Sequence, residues 1–277
     1  MKFGIATFVT DEGIRPDALG EAVEERGFDS LFLAEHSHIP TSRQTPYPGG
    51  GELPRSYYRT FDPFVALTAA AVATSRLLLA TGVALLPQRD LFHTAKEVAS
   101  LDLLSGGRFL FGVGVGWNRE EMRNHGTDPA SRGALLNEQL SALKEIWTRE
   151  EARFHGQHID FDPIYQWPKP ARKPHPPIYV GGESPAALAR LARHGDGWLP
   201  RAQTAPEEIR SALRLLAEQG RPDISVTIFA AGGGSGLIEG WAEAGVERVT
   251  FFLPTRPREE TLRLLDERAV LAQRYQG

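Results

Sequence analysis

Short apolar runs alternate along this chain with longer amphipathic stretches. Lys2 to Phe8 reads as a buried strand, and Arg15 to Gly27, with Leu19, Val23 and a closing Gly27, reads as a helix. Asp29 to Ala34 is a second apolar run, followed by a helix from Phe61 to Thr74 that starts at Asp62-Pro63. Leu77 to Val83 makes the third strand. The next helix ends at Ser105-Gly106-Gly107 and repeats apolar residues at Phe92, Ala95, Ala99 and Leu103. Phe109 to Val115 is the fourth strand, and Leu135 to Arg149 is an amphipathic helix. Phe154 to Phe161 forms a hairpin around Gly156 and leads into a proline-rich loop from Pro163 to Pro177. The alternation then resumes with strands at 178 to 180, 197 to 199, 224 to 230 and 246 to 253. Helices follow at 184 to 194, with Ala186, Leu188 and Leu191 facing inward, at 206 to 219, at 236 to 244 and from 257. Near-continuous apolar strands between amphipathic helices predict a parallel sheet covered on both faces. Eight such units favour an α/β fold closed into a single (β/α)8 TIM barrel, with insertions at its C-terminal face.

Composition adds exclusions. At 277 residues the chain is read as one barrel domain, 1 to 277. With 31 basic and 35 acidic residues it offers no general attraction to a polyphosphate backbone, so nucleic acid is not an expected partner. There is no cysteine, which removes disulfides and thiolate metal sites. The opening MKFGIATFVTDEG reaches a charged turn too early for a signal-peptide core. No run approaches the ~20 apolar residues needed to cross a bilayer. A cytoplasmic protein without a membrane partner is expected.

Barrel enzymes carry their chemistry at the strand C-termini, so those residues are the candidates. The second strand ends in Ala34-Glu35-His36-Ser37-His38, an acid and two imidazoles. A structural role in a loop or cap competes evenly with a catalytic one for Glu35 and His36. The third strand carries Gly82-Val83, where glycine permits a bulge or a close approach to a ligand. The fourth ends in Gly112-Val113-Gly114-Val115-Gly116-Trp117-Asn118. This run resembles part of a dinucleotide fingerprint but lies far from the first strand, so a Rossmann reading is rejected. Gly114 and Gly116 would let a flat ring lie against the mouth with Trp117 as a wall, or merely relieve crowding where the strand meets the following helix. After the fifth strand, Gly181-Gly182-Glu183-Ser184 precedes a helix start, a natural anion site where Ser184 could equally be an ordinary cap. Gly195-Asp196-Gly197-Trp198 and Arg201 add another aromatic and a cation at the same rim.

In order, Ala34-Glu35-His36, Thr81 to Pro87, Leu101 to Arg108, Gly112 to Asn118, Tyr179 to Gly182 and Gly195 to Trp198 resemble the bacterial luciferase-like oxidoreductase superfamily, especially its coenzyme F420-dependent members. The resemblance spans essentially the whole chain. It implies a non-prolyl cis peptide at Gly82-Val83 backing the central ring of the cofactor. It further implies that Val115, Gly116 and Trp117 line that ring and that Gly181, Gly182, Glu183 and Ser184 hold a phosphate. Glu35-His36 is similar to the Asp-His pair of the family's sugar-phosphate dehydrogenases. Their catalytic glutamate, however, is replaced here by Trp117, and a pocket tryptophan by Pro40, so glucose-6-phosphate is a poor substrate expectation.

The expected function is hydride transfer between coenzyme F420 and a small organic substrate, with His36 exchanging the proton. The alternative within the fold is an FMN-dependent monooxygenase using oxygen; outside it, a non-catalytic flavin-binding protein. A metal-dependent hydrolase built on His36-x-His38 lacks further ligands at later strand ends, and no metal is expected. Arg201, with Arg172 and Lys173, could meet the anionic tail of F420. The loop from Pro40 to Tyr58, rich in proline, glycine and aromatics, suits a cover over a substrate pocket. A homodimer is expected from the resemblance.

Overall fold

A computed structural model describes residues 1–232 and 236–275. The strands are β1 (Lys2–Thr7), β2 (Ser30–Leu33), β3 (Leu78–Thr81) with its short continuation β4 (Ala84–Leu85), β5 (Phe109–Gly114), β6 (Ala152–His155), β7 (Asp160–Ile164), β8 (Ile178–Gly181), β9 (Gly197–Leu199), β10 (Ser225–Ala231) and β11 (Arg248–Leu253). Apart from the antiparallel β6–β7 hairpin, all pair in parallel in the order β3-β2-β1-β11-β10-β9-β8-β5-β4. A β3–β5 pairing closes the ring, so the eight predicted strands form the eight staves of a barrel.

Around it lie α1 (Pro16–Glu25), α2 (Pro63–Ala73), α3 (Leu91–Leu104), α4 (Arg119–Asn124), α5 (Arg132–Thr148), α6 (Pro185–His194), α7 (Pro206–Glu218), α8 (Ile238–Glu243) and α9 (Arg258–Gln273). Their starts follow local chemistry. Asp62 accepts the amide hydrogens of Phe64 and Val65 ahead of α2, and Asp90 accepts that of His93 in α3.

Alternation along each strand separates two cores. Phe3, Ile5, Phe109, Phe111, Val226, Ile228, Val249 and Phe251 join the large core beneath the helices, whereas Ala6, Phe32, Ala80, Leu110, Tyr179 and Leu199 fill the barrel interior. At the N-terminal end Arg248 plugs the barrel, donating to Asp29 at 2.8 Å and to Thr227 at 3.2 Å. On β11, Arg248 and Thr250 are buried, but Phe252, the next residue on that inward face, is 39% exposed. The C-terminal mouth is therefore left open by side chains.

The structure corrects two predicted helix faces. On α3, Phe92 and Leu103 are exposed and the buried stripe is Leu91, Ala95, Val98, Ala99 and Asp102. On α6, Ala186 is exposed while Ala187, Arg190, Leu191 and His194 are buried. In both, spacing located the helix but shifted its face by about one residue, because long polar side chains can be buried once they find partners. Arg190, for example, donates to Asn137 Oδ1 and to the Gly133 carbonyl. The run from Leu101 to Arg108 is architectural as well. Arg108 donates to the carbonyls of Ala71, Thr74 and Leu77 and so satisfies the C-terminus of α2.

His194 carries a testable consequence. Among the described residues its buried Nε2 finds no partner, and burial, reinforced by Lys144, Arg193 and Arg190, lowers its pKa to about 4. A histidine held neutral in the fold contributes stability above its unfolded pKa of ~6.5, and that contribution is lost as pH falls through the folded value. Relative to His194→Gln, the native chain should lose roughly 2–3 kcal/mol between pH 7 and pH 4. Urea unfolding at both pH values measures this, and a pH-independent difference between the two chains would refute it.

Candidate active site

The chain leaves β2 as Glu35-His36-Ser37, and the two side chains part company at once. Glu35 is buried, accepts the Leu85 amide hydrogen at 2.6 Å and pairs with Arg89. Arg89 also reaches Glu97 at 2.7 Å and Asp62 at 3.4 Å, and it lies over the Phe64 ring at 4.6 Å. Burial pushes the Glu35 carboxyl above its ordinary pKa against the pull of Arg89. Burial also works against the charge of the guanidinium, but Glu35, Glu97 and Asp62 outweigh it and raise its pKa. Glu35 thus anchors the loop after β4 and lies outside the bonds that hold His36.

His36 takes its carboxylate from elsewhere. Its Nδ1 is 2.7 Å from Glu121 Oε2, and its Nε2 accepts the Trp117 indole hydrogen at 3.2 Å. An indole N–H only donates, so Nδ1 carries the imidazole proton and donates it to Glu121. Glu121 is fully buried, and its other oxygen accepts the Ser37 amide hydrogen at 3.1 Å. A glycine makes this arrangement possible. Gly116 takes φ +76°, turning the chain out of β5 into Asn118, whose side chain caps α4 by accepting the Glu121 amide hydrogen. The pairing was missed from sequence, although Asn118-x-x-Glu121 is a helix-start pattern that places an acid one turn beyond the strand end.

The peptide Gly82-Val83 is cis, as the resemblance implied. Val83 stands between two inward glycines. A Cβ on Gly114 would come within 2.6 Å of its side chain, and one on Gly181 within 3.2 Å. Gly82 itself lies under Phe229, which a Cβ would approach to 2.4 Å. The floor of the mouth is therefore Val83 flanked by bare backbone, a flat apolar platform. Of the β5 glycines, Gly114 admits Val83, whereas Gly112 makes room for the Thr81 carbonyl. Val115 packs against the outer core.

At the β8–α6 junction Gly182 has φ +102°, and Ser184 caps α6 through the Ala187 amide hydrogen at 3.2 Å. Among the described residues no protein acceptor takes the amide hydrogens of Glu183 or Ser184, which leaves donors at a helix start. Glu183 binds Arg201, whose amide and Nε lie 2.7 and 3.1 Å from Oε1. Arg201 is therefore at the rim, with its guanidinium held on Glu183. Trp198 is absent from this rim: it is buried under the helices and donates to the Gly182 carbonyl at 2.8 Å.

The loop from Pro40 to Tyr58 folds over His36. Tyr57 lies 5.1 Å from His36 and 4.5 Å from Phe8 between ring centroids, Tyr47 and Tyr57 both pack edgewise on Trp117, and Arg43 lies over the indole at 5.7 Å. Burial, then the hydrogen bond to Tyr47, raises the Tyr57 pKa, so its phenol stays protonated. His38 points elsewhere than His36, its Nδ1 2.8 Å from Ser37 Oγ and its Nε2 3.0 Å from Asn124.

The mouth of this (β/α)8 barrel thus combines a flat apolar surface, a helix start with free amide hydrogens and a covered imidazole–carboxylate pair. Residues 15–233 match the luciferase-like monooxygenase family, and the chain belongs to it. It is 38% identical over 280 residues to an uncharacterized protein of Mycobacterium tuberculosis, covering 94% of each chain. It is 32% identical over 193 residues to the F420-dependent glucose-6-phosphate dehydrogenase of Nakamurella multipartita, covering 68% of this chain and 52% of that one. A shorter match, 37% over 105 residues, is to the FMNH(2)-dependent dimethylsulfone monooxygenase of Pseudomonas putida, covering 37% and 29%. Among solved structures, monooxygenase RslO1 from Streptomyces bottropensis superposes with a TM-score of 0.78 at 21% identity over the full length of both chains. The family thus has members named for F420 and members named for reduced FMN.

Proposed function

We propose that this chain is an oxidoreductase that transfers a hydride between coenzyme F420 and a small organic substrate, with His36 exchanging the accompanying proton. The observation that carries the reading is His36 itself, buried at the barrel mouth with Nδ1 on Glu121 and Nε2 facing the Trp117 indole. The residues fit the cofactor: the Val83 platform between Gly114 and Gly181 suits a planar ring, and the amide hydrogens of Glu183 and Ser184 suit a phosphate. Bound F420 supplies a ring carbon that gives or takes hydride. The broader match to an F420-dependent relative than to an FMNH(2)-dependent one supports the choice of cofactor.

The protein's own steps are proton handling and exclusion of water. Neutral His36 accepts a proton at Nε2 or, once charged, returns it there, and Glu121 stabilises the charged form in a site dry enough to strengthen that attraction. Because Trp117 occupies Nε2, the indole has to move aside for substrate, and Tyr47, Tyr57 and Arg43 move with the same cover. Fluorescence titration of the purified chain should show saturable binding of F420 and weaker or no binding of FMN. Preference for FMN would replace the reading with an oxygen-using monooxygenase, and binding of neither would end it.

A homodimer is part of the same proposal. Helix α2 is apolar all round, with Ala66, Leu67 and Ala70 buried and Val65 and Val72 exposed, and Leu103 and Leu104 of α3 are exposed too. A helix apolar on its outer face is one that another surface covers.

A further inference from the structure

We infer that Glu121, Ser37 and His125 form a proton relay that connects the covered His36 to solvent on the outer side of the barrel rim. The inference rests on the proposed proton exchange at His36 and concerns how that proton leaves once the aromatic cover is closed.

The groups lie in one file, with the Glu121–Ser37 step the longest. His36 Nδ1–H donates to Glu121 Oε2 at 2.7 Å. Glu121 Oε1 lies 3.5 Å from Ser37 Oγ, which is 2.6 Å from His125 Nε2. The amide of Asn124 donates to His38 Nε2 at 3.0 Å, so His38 carries its proton on Nδ1 and donates to Ser37 Oγ at 2.8 Å. That leaves the serine hydroxyl hydrogen for an acceptor, and of the two within reach His125 Nε2 at 2.6 Å is nearer than Glu121 Oε1 at 3.5 Å. Burial, then His38, lowers the pKa of His125 despite Glu121, with Arg89 also opposing its charge. His125 is thus neutral and ready to accept. It lines a cavity of about 490 Å³ bounded by Arg89, Asp90, Thr127, Gln139 and His158 on the outer side of the rim.

The steps balance. A proton arriving at His36 Nε2 makes an imidazolium, whose Nδ1 proton passes to the Glu121 carboxylate. Rotation of the carboxyl presents that proton to Ser37 Oγ, and the O–H bond formed there replaces the one broken as Ser37 passes its own proton to His125 Nε2. His125 then releases its Nδ1 proton to water. Run backwards, the same bonds deliver a proton to His36. No electron transfer and no further reactant is involved. Glu121 is fully buried while Ser37 and His125 are exposed, so the serine is where the path leaves the dry interior.

The test needs neither cofactor nor substrate. In the full chain labelled with ¹⁵N-histidine, His36 is assigned through His36→Gln, and exchange of its Nδ1 proton with water is measured by saturation transfer. Ser37→Ala should slow exchange about tenfold or more. His125→Gln should slow it at low buffer concentration, and added imidazole should restore the rate in that variant alone, an outcome that a purely structural role for His125 would not produce. Both side chains are exposed, and unchanged thermal melting confirms folding. Exchange as fast in both variants as in the native chain overturns the relay. That result would leave the titration with F420 untouched, just as failure to bind F420 would leave the exchange measurement standing.

Discussion

Arg89→Met is expected to destabilise the folded chain by about 3–5 kcal/mol, the loss associated with stranding one partner of a buried ion pair. Arg89 is the cation for Glu35, and it also binds Glu97 and Asp62 while stacking on Phe64. Methionine keeps much of the packing and removes the charge. Glu35, whose pKa burial already raises, would then take up a proton in the fold at still higher pH. A carboxyl with a folded pKa above its unfolded value makes the native state bind more protons, so the variant should lose stability as pH rises. The penalty should be larger at pH 8 than at pH 5, and Glu35→Gln in the same chain should recover much of it. Urea unfolding of the single and double variants at both pH values is the measurement. An Arg89→Met midpoint equal to the native one would show that the pair contributes nothing.

The second large effect is on chemistry. His36→Ala should lower turnover by roughly 10²–10⁴-fold, the range for loss of a positioned acid or base, while leaving cofactor affinity within a few-fold. Affinity is spared because the platform is Val83 between Gly114 and Gly181 and the free amide hydrogens lie at the start of α6, whereas His36 is bonded to Glu121 and Trp117. Glu121→Gln should cost less, since an amide oxygen still accepts the Nδ1 hydrogen but no longer stabilises the imidazolium. Oxidation of reduced cofactor by a turnover-competent substrate reports the rate, and fluorescence titration reports affinity. Native turnover in His36→Ala removes the histidine from the reaction; a parallel collapse of cofactor binding makes it a binding residue instead.

Much of this architecture was legible in the chain. The barrel could be read because strand and helix periodicities are local, and both the Gly82-Val83 cis peptide and the β8–α6 junction lie inside short strings that carry the family resemblance. The helix faces of α3 and α6 slipped by a residue because spacing counts apolar side chains and cannot know that Arg190 or Asp102 will find partners in the interior. Trp198 was misplaced for a related reason: strand alternation sends it outward, and only its neighbours Gly197 and Leu199 face the barrel interior.

The acid at the site is the clearest case. Glu35 adjoins His36 in sequence, yet successive residues at a strand end point to different sides, and Glu35 is drawn to Arg89. The carboxylate that reaches His36 belongs to Glu121, 85 residues on, brought there by the left-handed turn at Gly116 and the capped start of α4. The sequence alone determined the barrel, the Gly82-Val83 bulge and the position of His36 just beyond β2, all of which depend on neighbours within a few residues. Tertiary structure decided which charge pairs with which, because a buried carboxylate settles on whichever donor the closed barrel brings within hydrogen-bonding reach.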